Sequence, residues 1–327
     1  MKARSKNRMT FLILILLTGC AGVNSPTDAP LTQVTLQLSW THQAQFGGFY
    51  AADQNGYYAD EGLAVTFIEG GPGLTALEPV VNGSAQFGVL NADLVLVARS
   101  TGQPVQALAA VYRRSPRVYV ALAGSGITRP QDFVGKTIAL NRGGHPLLIA
   151  MMQKLGISED QYVMVDSRAD LVQFTSGEVD VRSVFLTNEV LTLQKDGYDL
   201  NIIYPDDYGI HNYADTIITT DETIASNRDL VLRFLRATLK GWTWAVENPD
   251  EAGALTLRYK PDADPDTEVA KMTASIPLIN TGEDFIGWMK PEIWIGMEAT
   301  LREQGVLTAP EDVARVYTMQ FLEEIYK

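Results

Sequence analysis

From Val34 onward the chain alternates short runs of strand character with stretches of helical period, and this alternation constrains its fold more than any single residue does. Val34-Thr35-Leu36-Gln37-Leu38 alternates apolar and polar side chains with period two, the pattern of a strand with one covered face. Gly47 to Asn55 reads as a short amphipathic helix stopped at Gly56, and residues 64–68 as the next strand. After Gly70-Gly71-Pro72-Gly73, residues 74–81 read as a helix that Asn82-Gly83 stops, and 85–90 as a third strand. A strand–helix–strand–helix–strand order requires crossovers, hence a parallel sheet. A second series follows, with strands at 118–122, 136–140, 162–165 and 179–185 and helices at 147–155 and 170–176, so a second lobe is expected. Beyond a strand at 216–220 the chain turns helical, at 228–247, 265–276, 290–304 and 310–327. Those helices are expected to return to the first lobe.

Ahead of this region, Lys2, Arg4, Lys6 and Arg8 form a basic start, and residues 11–17 form an apolar run too short to span a bilayer. The run ends in Leu17-Thr18-Gly19-Cys20, which resembles the bacterial lipobox, in which the cysteine receives a diacylglycerol. Residues 1–19 therefore read as a signal peptide and Cys20 as the lipidated first residue of an exported protein facing the periplasm or the cell exterior. Residues 20–31 are small, polar and proline-bearing, too poor in apolar side chains to offset their ordering entropy, and suit a flexible tether.

The charge balance restricts partners. Lys+Arg number 26 and Asp+Glu 39, and removal of the four basic residues of the leader leaves 22 against 39, a net charge of −17. A chain this acidic is a poor ligand for nucleic acid. Cys20 is the only cysteine, so the folded part has no disulfide and no thiolate ligand or nucleophile, and His42, His145 and His211 do not make a zinc spacing. No metal, no cofactor and no catalytic residue are expected. About 300 residues, with 46% hydrophobic content over the whole chain, can bury substantial cores.

The segment from Leu36-Gln37-Leu38-Ser39-Trp40 through Phe46-Gly47-Gly48-Phe49-Tyr50, followed by Asn55-Gly56-Tyr57-Tyr58 and Glu61-Gly62-Leu63, resembles the start of the solute-binding proteins for thiamine pyrimidine precursors, nitrate and sulfonates. Gly70-Gly71-Pro72, Val81-Asn82-Gly83-Ser84-Ala85-Gln86-Phe87-Gly88, Asp132-Phe133-Val134-Gly135-Lys136, Gly177-Glu178-Val179-Asp180 and Arg233-Phe234-Leu235-Arg236-Ala237 follow in the family's order. The resemblance spans nearly the whole mature chain and implies the two-lobe type II periplasmic-binding fold, an α/β architecture of parallel-rich sheets flanked by helices with two hinge crossings. The crossings fall near Ser115-Pro116-Arg117 and Tyr213-Ala214-Asp215, which divides the chain into a first lobe of 32–115 plus 216–327 and a second of 116–215. It also implies a monomeric, non-enzymatic binding subunit that delivers a small molecule to an ABC permease and its ATPase, held at the membrane by the N-terminal lipid. The same features fit a ligand-sensing partner of a membrane receptor. The synthase relatives in fungi carry a cysteine-rich motif that cannot be built here. His42-Gln43-Ala44-Gln45 stands where pyrimidine binders usually show a proline–asparagine pair, which keeps riboflavin or a sulfonate or nitrate anion open beside a thiamine pyrimidine precursor.

Ligands of open parallel sheets bind beyond the carboxyl ends of strands, so the turns there supply the candidates. Trp40 is the first residue able to aim a planar face into the cleft, core packing being its alternative. Gln43 and Gln45 offer amides to a ligand, or to solvent and a helix end. Tyr50 shares a helical face with Phe46, in the cleft or in the core. Gly71 would let backbone N–H groups approach a ligand. Asn91 and Asp93 follow the third strand, facing the cleft or capping the next helix. In the second lobe Gly144 and His145 occupy the matching turn, with helix capping as the alternative for the histidine, and Asn188 and Glu189 follow the 179–185 strand, where a carboxylate would pair with an exocyclic amine. The acidic patches 247–251 and 262–268 read as solvated surface.

Overall fold

A computed structural model describes residues 30–327 apart from 72, 141–143 and 169, with the backbone alone at 144 and 145. The leader, Cys20 and most of the tether lie outside the described residues. Ten strands are assigned in chain order: β1 (Thr32–Gln37), β2 (Leu63–Ile68), β3 (Phe87–Leu90), β4 (Val105–Tyr112), β5 (Arg117–Leu122), β6 (Thr137–Leu140), β7 (Val163–Asp166), β8 (Val181–Phe185), β9 (Leu200–Ile203) and β10 (Ala214–Thr220). They form two five-stranded sheets, in the orders β2-β1-β3-β10-β4 and β7-β6-β8-β5-β9.

Both sheets follow one plan. In the first, β1 pairs in parallel with β2 and β3, as the crossover helices require, and β10 inserts antiparallel between β3 and β4. In the second, β6 pairs in parallel with β7 and β8, and β5 runs antiparallel between β8 and β9. The antiparallel member of each sheet is the strand by which the chain arrives from the other sheet. Residues 113–116 join β4 to β5 and residues 204–213 join β9 to β10. The sheets are therefore parallel-rich and mixed, and Leu31–Lys327 forms one compact unit.

Helix Arg228–Glu247 has the bounds its periodicity predicts. Val231, Phe234, Leu235, Thr238, Leu239 and Trp242 recur at spacings of three and four and are all buried, so one stripe of this helix enters the first core. Phe234 stacks on Phe87 of β3 with ring centroids 3.9 Å apart. The same stripe packs on helix Gly47–Gln54 at unusually close range. A Cβ at Gly241 would stand 2.3 Å from the carbonyl oxygen of Gly48, and a Cβ at Gly48 would stand 2.0 Å from the Trp242 ring, so both positions admit glycine alone.

Two expectations are corrected, and a strand that the sequence reading did not foresee appears. Residues 310–327 do not form one helix: a single turn at Val313–Arg315 and a short helix at Gln320–Ile325 flank a segment that hydrogen-bonds to β4, with Ala107 N–H donating to Val316 O at 2.9 Å and Thr318 N–H to Ala107 O at 3.0 Å. The outer edge of β4 has unpaired backbone groups that this segment satisfies. Strand β4 itself escapes a reading of period, because Val105–Tyr112 is almost wholly buried and carries no alternation. Glu268 is not surface: it is 4% exposed, its Oε2 accepts the Ala44 N–H at 2.6 Å and its Oε1 lies 2.8 Å from Lys271 Nζ. The rest of 262–268 and the acidic side chains of 247–251 are solvated as expected.

Candidate ligand-binding site

A cavity of about 550 Å³ is lined from both sheets by Ser39, Trp40, Gln43, Gln45, Gly73, Asn91, Arg117, Phe185, Asn188, Glu189 and Asp215. That volume falls in the range of small-molecule sites, about 300–1,000 Å³. Six of the sequence candidates meet there.

The first wall is built at the carboxyl ends of β1 and β3. Trp40 follows β1 and is 39% exposed, so its ring faces open space and not the core. Its carbonyl accepts the Gly70 N–H at 3.0 Å, and a Cβ at Gly70 would fall 2.6 Å from Leu38 O, so the glycine turn is pressed directly against the Trp40 segment. Gly73, with φ of +79°, lines the cavity, and Gly71 beside it does not. The amides of the next turn form a directed chain. Gln43 Nε2 donates to Gln45 Oε1 at 2.7 Å, and Gln45 Nε2 donates to Asp215 Oδ2 at 2.6 Å. At the other end Lys271 Nζ donates to Gln43 Oε1 at 3.5 Å. Ser39 Oγ donates to Asp215 Oδ1 at 3.2 Å. Asn91 precedes helix Ala92–Ser100 without capping it; its Oδ1 instead accepts the Asp215 N–H at 3.4 Å.

Asp215 is 3% exposed and is the one described non-glycine residue with positive φ, at 45°. Burial raises its carboxyl to about 6, against the pull of the hydrogen bonds from Gln45 and Ser39.

The second wall comes from the ends of β8 and β5. After Phe185 the chain makes one wide turn, Leu186–Val190, and the Glu189 Oε2 accepts the Phe185 N–H at 2.9 Å, which fixes the carboxylate at the cavity rim. The Arg117 guanidinium lies 5.2 Å from the centre of the Phe185 ring, a cation–π contact, with Nη1 3.4 Å from Ser183 Oγ. Burial lowers the Arg117 pKa, opposed by the charges of Asp93, Tyr119 and Glu189. Among the described residues the cavity therefore carries two carboxylates, one guanidinium, four amides and two aromatic rings.

The remaining candidates lie elsewhere. Tyr50 is buried behind the first wall, its hydroxyl 2.8 Å from His42 Nδ1 and its ring stacked on Tyr259 at 4.1 Å. Asp93 lines a smaller cavity with Leu147, Ile210 and His211; its Oδ1 accepts the Leu94 N–H at 2.9 Å. Burial raises its carboxyl, opposed by Arg117. Gly144 and His145 open helix Gly144–Lys154, and their side-chain surroundings lie outside the described residues, as do Asn141, Arg142 and Gly143. Sequence reasoning missed Ser39, Gly73, Arg117, Phe185 and Asp215 as lining residues. The signal for two of them was present, since Arg117 and Asp215 sit at the expected crossings and Asp215 interrupts an apolar strand. Among the described residues no group of three or more His, Cys, Asp or Glu side chains is placed to hold a metal ion.

Comparison with known proteins places this geometry in context. Residues 43–252 match the family described as NMT1/THI5 like. The riboflavin-binding protein RibY of Chloroflexus aurantiacus is 30% identical over 95% of each chain. The formylaminopyrimidine-binding protein of Halalkalibacterium halodurans is 28% identical over 77% of this chain and 78% of its own. Among solved structures, the periplasmic aliphatic sulphonate binding protein SsuA of Escherichia coli superposes with a TM-score of 0.70 over 86% of this chain and 91% of its own, at 13% identity, a likeness of fold.

Proposed function

Because the chain belongs to the NMT1/THI5-like family, we propose that it is the extracytoplasmic ligand-capturing subunit of an ABC importer and that it closes two lobes, 32–115 with 216–327 and 116–215, around a planar heterocycle with a polar edge. The observation that carries this reading is the cavity of about 550 Å³ in which Trp40 from one sheet and Phe185 from the other accompany amides and carboxylates. Aromatic faces hold a flat ring, and the polar groups read its edge. A flavin and a thiamine pyrimidine precursor both have that form, and the two relatives are named for binding riboflavin and formylaminopyrimidine. A simple sulfonate or nitrate suits the site less well, since among the described residues Asp215 and Glu189 oppose one guanidinium, that of Arg117.

Binding without turnover is part of the same proposal, and it is supported by a lining that, among the described residues, includes no thiol and no histidine. A thermal-shift screen of the mature domain against riboflavin, hydroxymethylpyrimidines, taurine and nitrate tests the reading. A micromolar ligand at millimolar concentration adds about 4 kcal/mol of stability. Trp40→Ala is expected to weaken the binding of the heterocycle at least tenfold, from lost stacking and lost buried area, by about 1.5 kcal/mol or more. A screen in which only anions stabilise the protein rejects the ligand class.

The address belongs to the same proposal. The Leu17-Thr18-Gly19-Cys20 motif supports export and lipid anchoring. Cys20→Ser is expected to move the protein from the membrane fraction to the soluble fraction, and intact mass should show loss of a diacylglycerol; a wild-type protein without lipid would refute the anchor.

A further inference from the structure

The wall around Asp215 has a fixed order of hydrogen-bond donors and acceptors, and that order distinguishes between the two heterocycle classes. Lys271 has an ammonium group, which can only donate, so the Gln43 oxygen turns toward it at 3.5 Å and the Gln43 nitrogen faces away, toward Gln45. Gln45 must then present its own nitrogen to Asp215, at 2.6 Å. The carboxylate at the far end demands the same direction, so both ends of the chain agree. Lys271 is itself held by Glu268 at 2.8 Å in the protein interior, which keeps the donor end in place. On the other side of Asp215, Asn91 spends its oxygen on the Asp215 N–H, so its amide nitrogen is the end left for a ligand. Each amide nitrogen has two hydrogens, and among the described residues Gln45 uses one and Asn91 neither.

Asp215 is thus an acceptor flanked by two amide donors, and all three residues line the cavity. We infer that this donor–acceptor–donor strip recognises a cyclic imide edge, carbonyl–N–H–carbonyl, with the ring N–H donating to the Asp215 carboxylate and the two carbonyls accepting from Gln45 and Asn91. An aminopyrimidine offers an amine beside a bare ring nitrogen and can satisfy two of the three positions. The inference rests on the reading of this cavity as the ligand site and narrows it to imide-edged heterocycles, of which the flavin ring is one.

The test is a titration of the mature wild-type protein, followed by tryptophan fluorescence and calorimetry, with riboflavin, riboflavin methylated at the imide nitrogen, and 4-amino-5-hydroxymethyl-2-methylpyrimidine. Methylation removes the central N–H and leaves the ring system otherwise unchanged. Riboflavin should bind tightest, the methylated form about thirtyfold or more weakly for loss of one charge-assisted bond, and the aminopyrimidine at least about tenfold more weakly. Equal affinity for riboflavin and its methylated form, or tighter binding of the aminopyrimidine, overturns the imide assignment and leaves the heterocycle reading intact. Binding of none of the three overturns both.

Discussion

Asp215→Asn is expected to bind its ligand about tenfold to a hundredfold more weakly than wild type and, at pH 8, to unfold at a higher temperature. The two effects have one origin. Asp215 is 3% exposed, and desolvation lifts its carboxyl from 3.8 to about 6 even though Gln45 and Ser39 donate to it. Between those two values the folded protein holds a proton that the unfolded chain has released, so stability falls as pH rises through this window. A shift of this size corresponds to about 3 kcal/mol, a cost in full force above pH 6 and absent below pH 4. Asparagine has no charge to desolvate, so the variant avoids the cost at pH 8 and melts close to wild type near pH 4. The same substitution removes the anionic acceptor from the cavity, a bond worth about 1.5–3 kcal/mol when its partner is a charged group. Melting curves between pH 4 and 8, with affinities at each end, decide it. A variant whose melting temperature tracks wild type at every pH would show that Asp215 carries no such cost. Ligand affinity of wild type should also fall as the carboxylate is protonated below pH 6.

The second large effect concerns the scaffold. Gly241→Ala should lower stability by about 3 kcal/mol, because the added methyl would stand 2.3 Å from Gly48 O and 2.7 Å from Ala52 N. Both atoms are backbone, so no side chain can rotate away and the two helices must separate. The melting temperature should drop by roughly 6–12 °C. Helix Gly47–Gln54 begins directly after the turn that bears Gln43 and Gln45, so displacement of its first residues also disturbs the cavity wall, and ligand affinity should fall with stability. Gly296, in helix Pro291–Glu303, provides the control: a Cβ there meets nothing within 4 Å, and alanine should be neutral or stabilising by up to about 1 kcal/mol. If the two alanine variants melt alike, the glycine contact is not what sets the distance between these helices.

Much of this architecture can be read directly from the residues. The Arg228–Glu247 helix declares itself through apolar side chains at three- and four-residue spacing, and β1, β2, β5 and β6 through short apolar runs bounded by glycine or polar turns. Strand β4 does not, because a run buried on both faces has no period to detect. The segment after Pro310 misleads in the other direction, since its conformation is set by the open edge of β4 more than by its own composition. The cavity divides in the same way. Trp40, Gln43, Gln45, Asn91, Asn188 and Glu189 come together because each follows the carboxyl end of a strand, which a linear reading can mark. Arg117 and Asp215 escape that rule, for they stand at the amino ends of β5 and β10. In a sheet where one strand is reversed, the start of that strand lies beside the finish of its neighbours.

That reversal has a mechanical meaning. When one half of a molecule swings about two linkers, a side chain travels in proportion to its distance from the axis. On the proposed two-lobe reading Arg117 and Asp215, each within two residues of a linker, would have almost no lever arm, whereas Trp40 is reached through a turn that no linker adjoins. A guest seated on Asp215 would meet the same charged pair at any angle of opening, and the outer jaws alone would register how far the molecule has shut.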